Sequence, residues 1–378
     1  MSSSNGNGTV TGIEQALGFD KHPYEQDGPS EGKLITLPIV NHTFSLAYLY
    51  DTVIAKLIRI PIKVLLTLSY YIVHGPITLR RKYNVSRKRI NIPSRERGRK
   101  IKVDAYLPTN LFKSNKPLPV HVNWHGSGFV LDCFGADGDF CAYLANKMQC
   151  IVLDADYRKS PEHPFPACIH DGEDVMNSIF SSKSNSVFNK QLPPLDLQRV
   201  SVGGASAGAN IALVMGVIFG GKKICAVATI APPTDFRPSA RPKLAPQPNH
   251  PRALPRKVTL FFDRCYLIPN MDRANPTLSP VTCNMQKGQL DCKLVYIAAG
   301  KGDTLHNDGY NLIESLKRQG HQNAVFCGVP GEGHGFEKAI GKGEQKQKAL
   351  AVFDDIVKLI KATWQESTPA DSTLKVKL

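Results

Sequence analysis

A serine in a glycine-rich turn, an aspartate and a histidine, far apart in the chain, stand where acyl-transfer chemistry would need them. Gly204-Ala205-Ser206-Ala207-Gly208 joins an apolar run, Arg199 to Gly203, to a helical pattern that starts at Ala207. In a strand-to-helix turn, G-x-S-x-G lifts the serine to the top of a sheet, and its small residues relieve crowding where the backbone bends. A serine hydroxyl is a weak nucleophile until a positioned imidazole takes its proton. That imidazole in turn needs a carboxylate to hold its tautomer. With this kind of turn the partners follow in the order serine, acid, histidine. Asp303 lies in Gly300-Lys301-Gly302-Asp303-Thr304-Leu305 and His334 in Gly331-Glu332-Gly333-His334-Gly335-Phe336, each just after an apolar run. Asp308 and Glu332 are rival acids. Asp308 reads as an N-terminal helix residue and Glu332 as a loop carboxylate, because neither directly terminates a strand. Donors for a developing oxyanion are expected from His125-Gly126-Ser127-Gly128-Phe129, which follows the run Pro119 to Trp124. The backbone N–H groups of Ser127 and Gly128, with that of Ala207 after the serine, would supply them.

The elements that must position these residues are legible as alternating periods. Short runs rich in Val and Ile predict strands at 101–107, 119–124, 150–155, 199–203, 224–230, 294–299 and 324–329. Helical spacing predicts helices at 138–148, 168–180, 207–219, 308–318 and 345–364. Apolar strands each followed by a helix indicate an α/β protein, with a mostly parallel central sheet covered by helices on both faces. Ligands of such folds bind beyond the carboxyl ends of the strands, the edge to which Ser206, Asp303 and His334 are all assigned. One segment breaks the alternation. Arg237 to Arg256 carries Pro238, Pro242, Pro246, Pro248, Pro251 and Pro255, which excludes a regular helix or central strand and predicts an irregular insertion or a mobile loop.

Four ordered motifs resemble the hormone-sensitive-lipase family of α/β-hydrolases, arylacetamide-deacetylase-like serine carboxylesterases and lipases included. They are His125-Gly126-Ser127-Gly128-Phe129, the segment from Asp156-Tyr157-Arg158 through Pro161-Glu162-His163-Pro164-Phe165-Pro166-Ala167, Gly204-Ala205-Ser206-Ala207-Gly208, and His334-Gly335-Phe336. The resemblance runs from about Val120 to Phe336. It implies an α/β-hydrolase fold with a helical cap from about 41–95 and 236–290, and Leu278-Ser279-Pro280 resembles the return from cap to core. The family usually has Asp where Ala205 stands and Gly where Ser127 stands, so the neighbouring loops lose a bracing carboxylate and the acyl pocket gains a side chain. Asn307 stands where the family often has Asp. The resemblance implies a serine esterase that hydrolyses a small-molecule carboxylic ester, hydrophobic or of natural-product type, without cofactor or metal. The same triad could instead serve an acyltransferase, lyase or cyclase. A non-catalytic ligand-binding protein is a further alternative, and retention of His334 argues against it.

The chain has 378 residues, 42% of them hydrophobic, enough for a well-filled core. Its net charge of +15 invites an anionic partner, but eleven basic residues against Glu96 between Arg80 and Lys102 account for +10 of it. No zinc finger, RNP-type strand or recognition-helix pattern accompanies that stretch, so no nucleic acid is expected. Nine cysteines without a C-x-x-C pair argue against a disulfide scaffold or structural metal. Residues 1–40 are polar and read as a flexible arm without a secretory signal, so the expected location is cytoplasmic. The terminal Val376-Lys377-Leu378 only partly matches a peroxisomal tripeptide. Residues 44–79 are apolar with scattered charges, and their longest uncharged run, Val64 to Leu79, has 16 residues against the roughly 20 that a spanning helix needs. Pro61, Gly75 and Pro76 predict a broken pair of amphipathic helices, packed over the body as part of the cap. The alternative is peripheral membrane contact through 44–102.

Overall fold

The computed structural model describes residues 46–366 apart from 73–74, 182–186, 189, 239–242 and 339–342. The expected N-terminal arm and the Val376-Lys377-Leu378 tripeptide lie outside the described residues. Eight strands form one sheet: β1 (Val85–Pro93), β2 (Lys100–Pro108), β3 (Leu118–Trp124), β4 (Ile151–Ala155), β5 (Leu195–Ala205), β6 (Ala226–Ile230), β7 (Leu294–Gly300) and β8 (Ala324–Val329), in the order β1-β2-β4-β3-β5-β6-β7-β8. From β4 to β8 every pairing is parallel, whereas β2 runs antiparallel to both β1 and β4. The helices are α1 (Leu46–Ile72), α2 (Pro76–Tyr83), α3 (Gly138–Met148), α4 (Ala167–Phe180), α5 (Ala207–Phe219), α6 (Arg256–Tyr266), α7 (His306–Arg318) and α8 (Glu344–Glu366).

The central strands are continuous apolar runs because both faces are covered. All seven residues of β3 and all seven of β7 are buried, as expected of a parallel sheet between helical layers. Helix α5 is buried almost throughout its length, from Ala207 to Val217, which fits its near-absence of polar residues.

Two sequence expectations are corrected. Residues 85–93, assigned to the cap, form the edge strand of the sheet. Val85, Ile90 and Ile92 face the core while the basic residues 87–89 lie at its rim, so the strand carries only a partial apolar pattern. Pro61 does not break α1, which runs through it. The proline is exposed, and the helix is anchored on the body side of its neighbours. There Arg59 donates to the Val130 carbonyl at 2.7 Å and pairs with Glu162 at 2.8 Å, Asp51 pairs with Arg264 of α6, and Ala55 packs on Val130 and Cys265. The proline-rich segment is irregular where described, as its composition predicts, and a helix not assigned from the sequence, α6, starts directly behind Pro255, whose fixed φ suits an entry position.

Candidate active site

Ser206 occupies the turn between β5 and α5 with φ 52° and ψ −120°, a left-handed conformation in which a non-glycine residue is held only by its surroundings. The hold is visible. The Ser206 N–H donates to the Ile230 carbonyl of β6 at 2.8 Å, and the Ser206 carbonyl accepts from Asn210 N–H at 3.1 Å, opening α5. Gly208 is dictated by close approach, since a Cβ there would stand 1.9 Å from the Trp124 carbonyl oxygen at the end of β3.

The side chains of three loops meet at this edge. Ser206 Oγ lies 3.1 Å from His334 Nε2, and His334 Nδ1 lies 2.7 Å from Asp303 Oδ2. Asp303 is fully buried, and its other oxygen accepts the Leu305 N–H at 2.9 Å, which fixes the carboxylate plane. Burial pulls the imidazole of His334 down, yet the Asp303 carboxylate, through charge and hydrogen bond, and Glu337 together leave it above its ordinary 6.5. Both rival acids are engaged elsewhere. Asp308, in the first turn of α7, accepts from the N–H groups of Thr234 at 2.8 Å and Asp235 at 3.2 Å and pairs with the buried Lys243. Glu332 is paired with Arg252 at 2.8 Å and faces Lys348 at 3.7 Å.

The glycine-rich loop after β3 lies directly over the serine. A Cβ on Gly126 would stand 3.3 Å from Ser206 Cβ. Gly128 at φ +57° and Phe129 at φ +63° curl the loop, and a Cβ on Gly128 would fall 2.3 Å from the Phe262 ring of α6. The side chain of Ser127, expected near the acyl pocket, is instead turned into the core. Its Oγ donates to Tyr157 Oη at 2.6 Å, and Tyr157 donates to the His125 carbonyl at 2.7 Å. His125 is fully buried and stacks on Tyr157 with centroids 4.7 Å apart. Burial and the nearby Lys159 charge lower its pKa, against the opposing pull of Asp156. The Asp156-Tyr157-Arg158 segment therefore braces this loop, and Arg158 is itself held to Asp171 at 3.0 Å.

Several residues around the site had no signal in the sequence. Gln247, His250 and Arg252 of the proline-rich insertion touch the Asp303 and His334 loops: the Gln247 N–H donates to the Lys301 carbonyl at 2.9 Å, and the His334 N–H donates to the Arg252 carbonyl at 2.8 Å. Glu337, three residues beyond His334, has a buried Oε2 with no hydrogen-bond partner among the described residues, and burial raises its pKa.

A family model described as alpha/beta hydrolase fold matches residues 121–338. The chain belongs to that family, in its hormone-sensitive-lipase and carboxylesterase-type branch. It is 26% identical over 270 residues to a probable carboxylesterase of Arabidopsis thaliana, covering 67% of this chain and 81% of the relative. It is 28% identical over 256 residues to a 2-hydroxyisoflavanone dehydratase of Glycyrrhiza echinata, covering 63% and 75%. Among solved structures, the esterase LipW of Mycobacterium marinum aligns with a TM-score of 0.65 at 22% identity, over 82% of this chain and 90% of that one.

Proposed function

We infer that this carboxylesterase-type enzyme cleaves its ester through an acyl-enzyme on Ser206. The observation that carries the reading is the unbroken relay from Ser206 Oγ to His334 to the buried Asp303, at 3.1 and 2.7 Å. In this reading Ser206 Oγ attacks the ester carbonyl as His334 Nε2 takes its proton, and the carbonyl oxygen becomes an oxyanion facing the N–H groups of Ser127, Gly128 and Ala207. Collapse of the tetrahedral species breaks the bond to the alkoxide, which leaves with the proton from His334. Water, deprotonated by the same imidazole, then attacks the acyl carbon and frees Ser206. Asp303 keeps Nδ1 protonated and stabilises the imidazolium in both halves. The raised pKa of His334 accords with that pairing.

The substrate we assign is a hydrophobic or natural-product ester. Support comes from the Phe262 ring set against Gly128, which gives the site an aromatic wall beside the carbonyl to be attacked. The dehydratase relative marks elimination as the competing chemistry for the same residues.

A fluorophosphonate probe followed by mapping of the labelled peptide tests the reading. Labelling should fall on Ser206 and vanish in Ser206→Ala together with hydrolysis of nitrophenyl esters, at an unchanged melting temperature. Turnover that survives Ser206→Ala, or a label on another residue, would overturn the acyl-enzyme. Rates that do not rise from acetate to longer acyl or bulkier alcohol esters would overturn the substrate class.

A further inference from the structure

Helix α1 has two faces, and among the described residues only one of them packs on the fold. At 100° per residue, Asp51, Ala55 and Arg59 fall on one side, and these are the residues that dock on α6, Val130 and Glu162. On the opposite side Leu46, Leu49, Val53, Leu57, Val64 and Leu68 recur at helical spacing and are 46–86% exposed. Ten of the sixteen exposed large hydrophobic residues among the described ones belong to this single helix. The stripe from Leu46 to Leu68 is about 33 Å long at ~1.5 Å per residue, far more than scattered surface hydrophobics would give.

The charge around the stripe identifies what covers it. Residues 46–83 hold six basic side chains and one acid, and that acid, Asp51, is buried against Arg264. The outward side chains of α1 and α2 therefore include no acid of their own; Lys63 pairs with Asp132 at 3.2 Å and Lys82 with Asp139 at 2.8 Å, while Lys56, Arg80 and Arg81 are exposed and have no ion pair among the described residues. A second copy of the same face would bring like charges together. No helix among the described residues is long and apolar enough to cross a bilayer, which leaves an in-plane arrangement. We propose that the outward face of α1 binds the surface of an anionic phospholipid bilayer, its aliphatic side chains entering the acyl boundary and Lys56, Arg80 and Arg81 meeting lipid phosphates. Apolar burial and headgroup attraction then act together, as they do for interfacial helices.

Cosedimentation of the full chain with phosphatidylcholine vesicles, with and without phosphatidylserine, at low and high salt, tests this. Binding should need phosphatidylserine and weaken several-fold as salt rises. The double variant Leu57→Glu/Val64→Glu should lose roughly tenfold or more of the bound fraction, and Arg80→Glu/Arg81→Glu should remove most of the salt-sensitive part. Both variants change exposed positions, so their melting temperatures and their hydrolysis of a water-soluble nitrophenyl ester should match the parent, which separates failure of this proposal from failure of the catalytic reading. Absence of binding to phosphatidylserine vesicles, equal binding by Leu57→Glu/Val64→Glu, or a parent dimer in solution that this variant dissolves would each overturn it.

Discussion

Replacing Asp303 by Asn and Asp308 by Asn separates the acid that acts on His334 from the acid that holds the fold. In Asp303→Asn one position must still accept the Leu305 N–H, now at 2.9 Å, while the other faces His334 Nδ1, now at 2.7 Å. If the amide oxygen stays on Leu305, the NH2 group faces Nδ1 and forces the tautomer whose Nε2 carries a proton and cannot accept one from Ser206. If the amide flips, its NH2 meets the Leu305 N–H, donor against donor. The flip would return an acceptor to Nδ1–H, but only at the cost of that donor clash, so the first arrangement dominates and the base is lost. Turnover should fall on the order of 10³ to 10⁴, equivalent to roughly 4 to 5.5 kcal/mol of transition-state stabilisation, with a melting temperature close to the parent. Asp308→Asn acts on a different property. It leaves the buried Lys243 without its carboxylate, and breaking a buried pair costs about 3 to 5 kcal/mol, a large share of a typical ~5 to 15 kcal/mol stability. The melting temperature should drop by several degrees or more, with turnover per folded molecule nearly kept at low temperature. Steady-state hydrolysis of a nitrophenyl ester beside thermal unfolding reads both axes. A loss of turnover in Asp308→Asn at unchanged stability, with Asp303→Asn fully active, would refute the assignment of the acid.

The pH profile of kcat/KM should show an acidic limb above 6.5, because His334 must be neutral to take the proton and its pKa is raised; a limb below 6.5 would contradict the pairing. The same raised pKa means that protonated His334 contributes stability below about pH 6.5 and loses it as pH climbs through the folded value, so the melting-temperature gap between parent and His334→Gln should narrow on going from pH 6 to pH 9. Gly208→Ala should yield little folded protein, since its Cβ would sit 1.9 Å from the Trp124 carbonyl oxygen and neither backbone segment can give way; a soluble, active variant would show that β3 and α5 shift more easily than their packing implies. Tyr157→Phe removes the hydroxyl between Ser127 and the His125 carbonyl and should cost about 1 to 3 kcal/mol of stability. Adding Ser127→Gly to it should recover part of the loss, which thermal unfolding of the single and double variants measures.

Most of the parallel sheet was legible because strands covered on both faces are unbroken apolar runs, and Ala324–Val329 and Gly138–Met148 are found at the residues their patterns predicted. The catalytic candidates were legible for a related reason. Ser206, Asp303 and His334 each end or follow such a run, so locating the strands located the loops. The edge strand β1 and helix α1 were not. β1 alternates only partly, its core side carried by Val85, Ile90 and Ile92 and its rim by Arg87, Lys88 and Arg89, and a basic half-strand at the margin of a sheet reads as a charged loop. α1 read as broken because a proline usually costs a helix about 3 kcal/mol in its interior. Long-range anchors such as Arg59 with Val130 and Glu162 offset that cost, and no window of sequence contains them.

The proline-rich insertion marks the point at which local reading ends and tertiary contact begins. Its prolines exclude regular structure, and composition alone left open whether it is loose. In the structure it is held to the Asp303 and His334 loops at once: Gln247 to Lys301 and Gly331, His250 to Gly331, Arg252 to His334 and Glu332, and Leu244 to Asn307. A chain whose φ angles are preset by proline loses little entropy when it is pinned in this way. Contacts that would be costly for a flexible loop are therefore cheap here. The consequence reaches the choice of acid. Glu332 stands only two residues from His334, but the insertion supplies Arg252 to neutralise it, and Lys348 of α8 faces its other oxygen. The carboxylate nearest in sequence is thereby spent on the scaffold, and the imidazole is left to the one thirty-one residues away, Asp303, which is buried and aimed at Nδ1.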